Sequence, residues 1–453
     1  MPSPQSPAML SDTTAAPSTD DFSAEPSGSE PIRKDPVQTD SPRDDWRHFA
    51  ALAQRHGTPA YLYDAGELAV RVETLRSALP RAASPRLLYS FKANPLPSLA
   101  AELRRGGCEA DLTSPGETGA ALAAGFDLSR ALYGGPGKDA EEYRRAIAAG
   151  IRHFSVESAA DLARLGRAAT ELRAPVSALL RINPQSPPKA KLAMAGVASQ
   201  FGFEEEDLRE RGRSLADIGG SAIDIAGFHL YWGTQIADPE ALLASFARTV
   251  ELADGLAPLL GIDLRILNLG GGFAWPYAHS GAGPDPAALR AALAELHAAA
   301  GPSRGAQWWF ESGRHLAASS GTLVARVMET KRSKGDRHFL VLDTGIHHLG
   351  GMAGLGRIPR FSIDLIVPPE RRDNDRIAVD VVGPLCTPLD CLAKRIEIPR
   401  VEPGDLVAIP NVGAYGATAS VGAFLSRRPP VEILHRRGEA VSLHRLRSGH
   451  EAA

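Results

Sequence analysis

Lys92 lies in the run YSFKAN (89–94), an ammonium inside an apolar segment that ends in an Asn-Pro turn. Taken alone it reads in two ways: a strand-end lysine reaching water, or an amine whose pKa partial burial lowers, ready to form a Schiff base. Gly270, Gly271 and Gly272 directly follow an apolar run. Such a triplet lets backbone N–H groups cradle a phosphate or simply makes a tight turn, and it lacks the spacing of a dinucleotide-binding loop. His229, Thr234 and Gln235 close the run FHLYWGTQ, where the histidine is structural unless it has company. Glu311 and Arg314 in FESGR suit a ring nitrogen and an anion respectively, or a surface ion pair. Cys386 stands in a Gly-Pro turn, VVGPLCTPLD, and Tyr415 in the Gly/Ala loop NVGAYGATAS. A turn thiol is exposed enough to move protons, or packs inertly.

Other chemistries find less support. The run GGPGKD (134–139) lacks both the glycine five positions before Gly137 and the Ser or Thr after Lys138 that a nucleotide-binding P-loop needs. Cys108, Cys386 and Cys391 cannot build a disulfide framework, and their one CxxxxC pair does not complete a zinc site.

For the candidate residues to meet, the chain must bring strand ends together. From about Trp46 to Met328 the β-like runs RLLYSF, HFSV, SALLRI, IAGFHLY, LRILNLGG and WWFES alternate with helical stretches rich in Ala, Leu, Arg and Glu. Strands separated by single helices imply parallel β/α units with right-handed crossovers. About seven or eight such units over roughly 250 residues fit a closed (β/α)8 barrel of the TIM type better than an open doubly wound sheet. Function is then expected at the carboxyl ends of the strands. Beyond Met328, HFLVLD, FSIDLIV, IAVDVVG, RIEIP, DLVAIP and VEILH read as strands of a second, mostly β domain. The early run TPAYLYD is also strand-like and is expected to pair with that domain. The predicted organisation is a disordered tail over 1–45, rich in Pro, Ser, Thr and Asp, an N-terminal segment over 46–84, the barrel over 85–328 and the β domain over 329–453.

With 453 residues, 43% hydrophobic composition and a formal net charge of −3, the chain reads as a soluble protein large enough for two domains. It advertises no strongly basic face, so nucleic acid is not an expected partner. No apolar run reaches the roughly 18 to 20 residues of a membrane span, and the amino terminus lacks a basic region followed by an apolar core. A cytoplasmic location without membrane association is the expectation.

Taken in order, YSFKANP, DLTSPGE, GPGK, SQFGF, FHLYWGTQ, LNLGGGF, FESGR, LDTG, GPLCTPLD and GAYG resemble the fold-type III pyridoxal-phosphate decarboxylases, the group of diaminopimelate and ornithine decarboxylases, over about residues 57 to 435. The resemblance implies pyridoxal 5'-phosphate as cofactor, with Lys92 forming the Schiff base and His229 stacked on the cofactor ring. It also implies that Thr234, Gly271, Gly272, Arg314 and Tyr415 hold the phosphate, and that Asp111 and Glu117 line the site. Glu311 would pair with the ring nitrogen and keep it protonated, where alanine racemases of this fold place an arginine. Cys386 matches the family thiol that reprotonates the product across a dimer interface, which implies a homodimer with shared active sites.

Departures from the family pattern bear on the substrate. Where diaminopimelate and ornithine decarboxylases carry Cys-Glu-Ser or Cys-Asp, this chain has Cys386-Thr387-Pro388, without the carboxylate that would bind a distal ammonium. After Asp343, in LDTG, His347 and His348 stand where an Arg-Pro-x-x-Tyr stretch is expected. Asp343, His347 and Thr387 are therefore candidate substrate contacts. The pattern is similar to a subgroup of secondary-metabolism and exopolysaccharide enzymes, some of which act on aminoacyl groups tethered to acyl carrier proteins. The expected activity is decarboxylation of an L-amino acid or aminoacyl derivative, by preference a carrier-bound or amide-masked acidic amino acid. Free diaminopimelate, lysine or ornithine is the alternative. A further alternative is an inactive cofactor-binding homologue acting through protein association, against which the joint presence of Lys92, Glu311 and Cys386 argues. An amino-acid racemase and an NAD-dependent barrel enzyme stand behind these.

Overall fold

The strand that carries the approach to Lys92, Arg86–Ser90, opens a ring of eight parallel strands in a computed structural model that describes residues 42–184, 199–350 and 362–447. Its successors are Glu109–Leu112, Leu132–Tyr133, His153–Val156, Val176–Asn183, Ile223–His229, Ile266–Asn268 and Gln307–Ser312. Each pairs in parallel with the next, and Gln307–Ser312 returns to Arg86–Ser90, which closes the barrel. Helices follow most strands, and four of them begin on side-chain caps: Ser114, Asp139, Ser158 and Asp238 each accept a backbone N–H of the first helical turn.

Strand alternation explains why the candidate residues converge. Leu88, Leu132, Leu179, Ala226, Ile266 and Trp309, drawn from six different strands, form their own buried cluster, the filling expected inside a barrel. Two residues further along their strands stand Ser90, Asn268 and Glu311. Side chains repeat with period two along a strand, so these polar groups face the same interior one layer nearer the carboxyl ends.

The second sheet runs in the order Cys391–Pro399, Arg376–Val382, Arg337–Leu342, Gly321–Ser333, Ala60–Asp64, Val431–Arg436, Glu439–His444, and Leu406–Ile409 pairs with Gly321–Ser333. Ala60–Asp64 lies between Gly321–Ser333 and Val431–Arg436, so the N-terminal segment is built into the β domain.

Three boundaries differ from the sequence reading. The β domain begins with Gly321–Ser333, not at 329, because GTLVARV is mostly buried and pairs antiparallel with both Ala60–Asp64 and Leu406–Ile409. A helix, Pro42–His56, starts inside the segment assigned to the tail, and residues 1–41 lie outside the described residues. FSIDLIV contributes only the isolated bridge Ile366↔Ala408, with its first residue outside the described set.

The GPGK motif finds a structural use. Lys138 is buried, its Nζ 3.0 Å from Asp161 Oδ2, and Asp161 also accepts from Tyr143 Oη at 2.8 Å and from the Glu157 N–H at 3.0 Å. Removing one member of a buried pair strands the other charge, so Asp161→Ala is expected to cost about 3–5 kcal/mol. A lowered denaturant midpoint in the cofactor-loaded protein would show this, and an unchanged midpoint would refute it.

Candidate active site

At the carboxyl ends of the barrel strands lies a cavity that opens to solvent, lined by Lys92, Tyr231, Thr234, Gly271, Gly272, Glu311, Arg314 and Tyr415 among others. Lys92 is not the last residue of its strand. It sits in a short 3-10 turn, Phe91–Ala93, fixed at its end by Asn94, whose Oδ1 accepts the Leu96 N–H at 3.1 Å and whose Nδ2 donates to Gly413 O at 2.9 Å. The β domain also holds this turn, since the Tyr415 N–H donates to Ala93 O at 2.6 Å. Lys92 is reachable by solvent through the cavity although protein surrounds it. Its Nζ lies 5.7 Å from the centre of the Tyr231 ring.

The electrostatics correct one expectation. Burial does pull the Lys92 ammonium toward neutrality, but Asp111, then Tyr415, Glu311 and Tyr231, outweigh it and hold the pKa above the ordinary lysine value. One ammonium cannot neutralise two carboxylates equally. Burial raises Glu311 but His229, Lys92 and Asn268 together bring it down to about 2. Asp111, pushed up by burial and then by Glu311 against the opposing effect of Lys92, reaches about 7.

Glu311 is the best-supported group in the cavity. Asn268 Nδ2 donates to its Oε1 at 2.8 Å, and Asn268 Oδ1 accepts the Gly270 N–H at 2.8 Å, so one side chain orients both the carboxylate and the glycine run. His229 Nε2 stands 3.2 Å from Glu311 Oε1, within charge-interaction range but outside hydrogen-bond geometry. His229 Nδ1 lies 2.8 Å from Ser155 Oγ.

The glycine run fits an anion by space. A Cβ on Gly271 would meet Glu311 O at 2.4 Å, and Gly270 and Gly272 have φ of 69° and 114°, a region that favours glycine. Opposite them, the Arg314 guanidinium lies 4.7 Å from the Tyr415 ring centre and 5.6 Å from that of Tyr277. Its Nε is buried without a hydrogen-bond partner, as are Ser312 Oγ and Asp111 Oδ2. An amine, an ionised carboxylate and an arginine facing a glycine loop are the donor set for a carbonyl-bearing aromatic phosphate.

Other predicted residues go elsewhere. Glu117 is spent on its own helix start, accepting from the Thr113 N–H at 2.6 Å and Thr113 Oγ1 at 3.0 Å. Asp343 accepts the Arg326 N–H at 2.9 Å and does not line the cavity. His347 is buried, its ring 3.7 Å from that of His348, with neither nitrogen partnered; burial, then Arg427, lowers it to about 4. Thr387 Oγ1 accepts the Leu389 N–H at 3.3 Å within an exposed turn. Cys386 is exposed on that turn and does not line the cavity of its own chain. Cys108 is buried and its thiol is pushed up to about 12, which makes it inert packing. Tyr231, Asn268, Ser155 and Ser312 carried no sequence assignment. Their one common signal is position at or just past a strand's carboxyl end.

A barrel with this constellation at its mouth defines a pyridoxal-dependent decarboxylase, and residues 65–318 match the family model described as "Pyridoxal-dependent decarboxylase, pyridoxal binding domain". The chain belongs to this family, as a fold-type III carboxy-lyase that uses pyridoxal phosphate. It is 33% identical over 400 residues, 87% of this chain and 92% of the relative, to the L-glutamyl-[BtrI acyl-carrier protein] decarboxylase of Niallia circulans. It is 32% identical to the diaminopimelate decarboxylase of Zymomonas mobilis, over 84% of this chain and 89% of that one. Among solved structures, the diaminopimelate decarboxylase of Helicobacter pylori complexed with L-lysine superposes with a TM-score of 0.76 at 25% identity, covering 88% of this chain and 95% of that one. No helix among the described residues is long and apolar enough to cross a membrane.

Proposed function

We propose that this chain removes the α-carboxylate of an acidic aminoacyl group whose distal end is tethered to a carrier protein. The observation that carries the substrate choice is the turn bearing Cys386. Its only carboxylate is Asp390, and both oxygens of Asp390 already accept backbone N–H groups, from Ile346 at 2.8 Å and Leu385 at 2.7 Å. The turn therefore offers no free anion to a distal ammonium, which disfavours free lysine, ornithine and diaminopimelate. The similarity to a carrier-protein glutamyl decarboxylase supports the same reading.

When bound, pyridoxal phosphate supplies the sink for the electron pair released as carbon dioxide leaves. Lys92 would hold the cofactor through its amine. Glu311 would hold a negative charge for the ring nitrogen, and Arg314 with the Gly271–Gly272 backbone would hold the phosphate. His229, oriented by Ser155, would flank the ring. Cys386 delivers the proton that replaces carbon dioxide. The exposure of Cys386 and its absence from its own chain's cavity support a homodimer in which it serves the cavity of the second copy.

Carbon dioxide release from carrier-loaded glutamate and aspartate, compared with free diaminopimelate, lysine and ornithine, tests the substrate. Release from a carrier-loaded acidic amino acid is expected. Release from the free basic amino acids alone would overturn the proposal.

A further inference from the structure

Residues 383–390 fold back on themselves. The Gly383 N–H donates to Asp390 O at 3.1 Å, the Thr387 N–H to Leu385 O at 2.8 Å, and the Asp390 N–H to Thr387 O at 3.2 Å. Inside this loop the Asp390 carboxylate is 3% exposed, with Oδ2 on the Leu385 N–H and Oδ1 on the Ile346 N–H. Leu385 precedes Cys386, and Ile346 precedes His347. One buried side chain thus ties the thiol's turn to a turn reached from the neighbouring strand of the sheet, Arg337–Leu342, which pairs with Arg376–Val382.

The space for that carboxylate is made by two glycines. A Cβ on Gly345 would lie 2.1 Å from Asp390 Oδ1, and one on Gly383 would lie 2.4 Å from Oδ2. Neither glycine has a positive φ, so backbone conformation does not demand glycine at either position. Room for Asp390 does. An exposed thiol normally rides on a turn with many conformations, and here the turn is locked from within.

We propose that Asp390 is a positioning residue for protonation: it locks the 383–390 loop to the 345–348 turn and so holds the Cys386 thiol at one angle to the carbon that loses carbon dioxide. The inference rests on Cys386 being the proton donor. Protonation from a fixed direction gives a single product configuration, and a loosened loop gives up that control before it gives up cofactor binding.

The test uses the cofactor-loaded enzyme in deuterated water, with Asp390→Asn and Gly383→Ala. Asparagine keeps the shape but turns an NH2 group toward one of the two N–H donors. The added methyl of Gly383→Ala displaces the carboxylate from the other side. Both variants are expected to keep the bound-cofactor absorbance and KM, to lose turnover by about a hundredfold, and to scramble the configuration of deuterium at the methylene formed. Wild-type turnover, or reduced turnover with a single retained configuration, in whichever variant folds overturns the inference. Cys386→Ala run alongside separates the two levels. Should that variant keep both turnover and configuration, Cys386 is not the donor and the inference falls with it.

Discussion

Lys92→Ala is expected to lose turnover by about 10⁴-fold or more and, in the same substitution, all covalent retention of cofactor. Among the described residues Lys92 is the only lysine lining the cavity, and Lys138, the nearest in motif character, is committed to Asp161. Borohydride reduction of the loaded enzyme should add the cofactor's mass to the peptide containing Lys92 in the wild type and to no peptide in the variant. Labelling elsewhere in the variant would remove Lys92 from its role. The same variant tests the shared site. Lys92→Ala chains mixed with Cys386→Ala chains form hybrids in which one cavity has both intact groups, so about a quarter of wild-type activity should return. Two inactive parents that stay inactive after verified subunit exchange would place Cys386 in the cavity of its own chain.

What the sequence made legible follows from how far each interaction reaches along the chain. Lys92, His229, the glycine run and Glu311 each sit beside a strand end, and a barrel brings strand ends together whatever the loops do. The supporting contacts were not legible, because Asn268 to Glu311 and Ser155 to His229 span 43 and 74 residues and depend on which strands become neighbours. Local competition also misdirects. Glu117 belongs to an acidic motif, yet Ser114 caps the same helix and draws Glu117 onto Thr113. Asp343 follows a strand of the β domain, where a neighbouring backbone N–H claims it first. The pKa of Lys92 failed for a related reason: burial was foreseeable from one segment, whereas the two carboxylates that reverse its effect come from other strands.

Glu311→Gln is expected to retain cofactor but lower kcat by about 10²–10³-fold, because the amide keeps the Asn268 hydrogen bond and gives up the charge. The pH behaviour follows from the same cluster. Glu311 is held down from 4.5 to about 2, so it binds its proton less readily folded than unfolded. Its contribution to stability is complete above about 4.5 and is lost as the pH falls toward 2. Asp111 is displaced the other way, from 3.8 to about 7, so its contribution declines as the pH rises through that window. Removing the Glu311 charge takes away the like-charged neighbour that helps hold Asp111 protonated. Asp111 should then ionise at lower pH. The stability of cofactor-free Glu311→Gln measured against pH should show that acidic shift, beside the fall in kcat of the loaded enzyme. A variant with kcat within a few-fold of wild type would mean that the carboxylate's charge does not tune the cofactor.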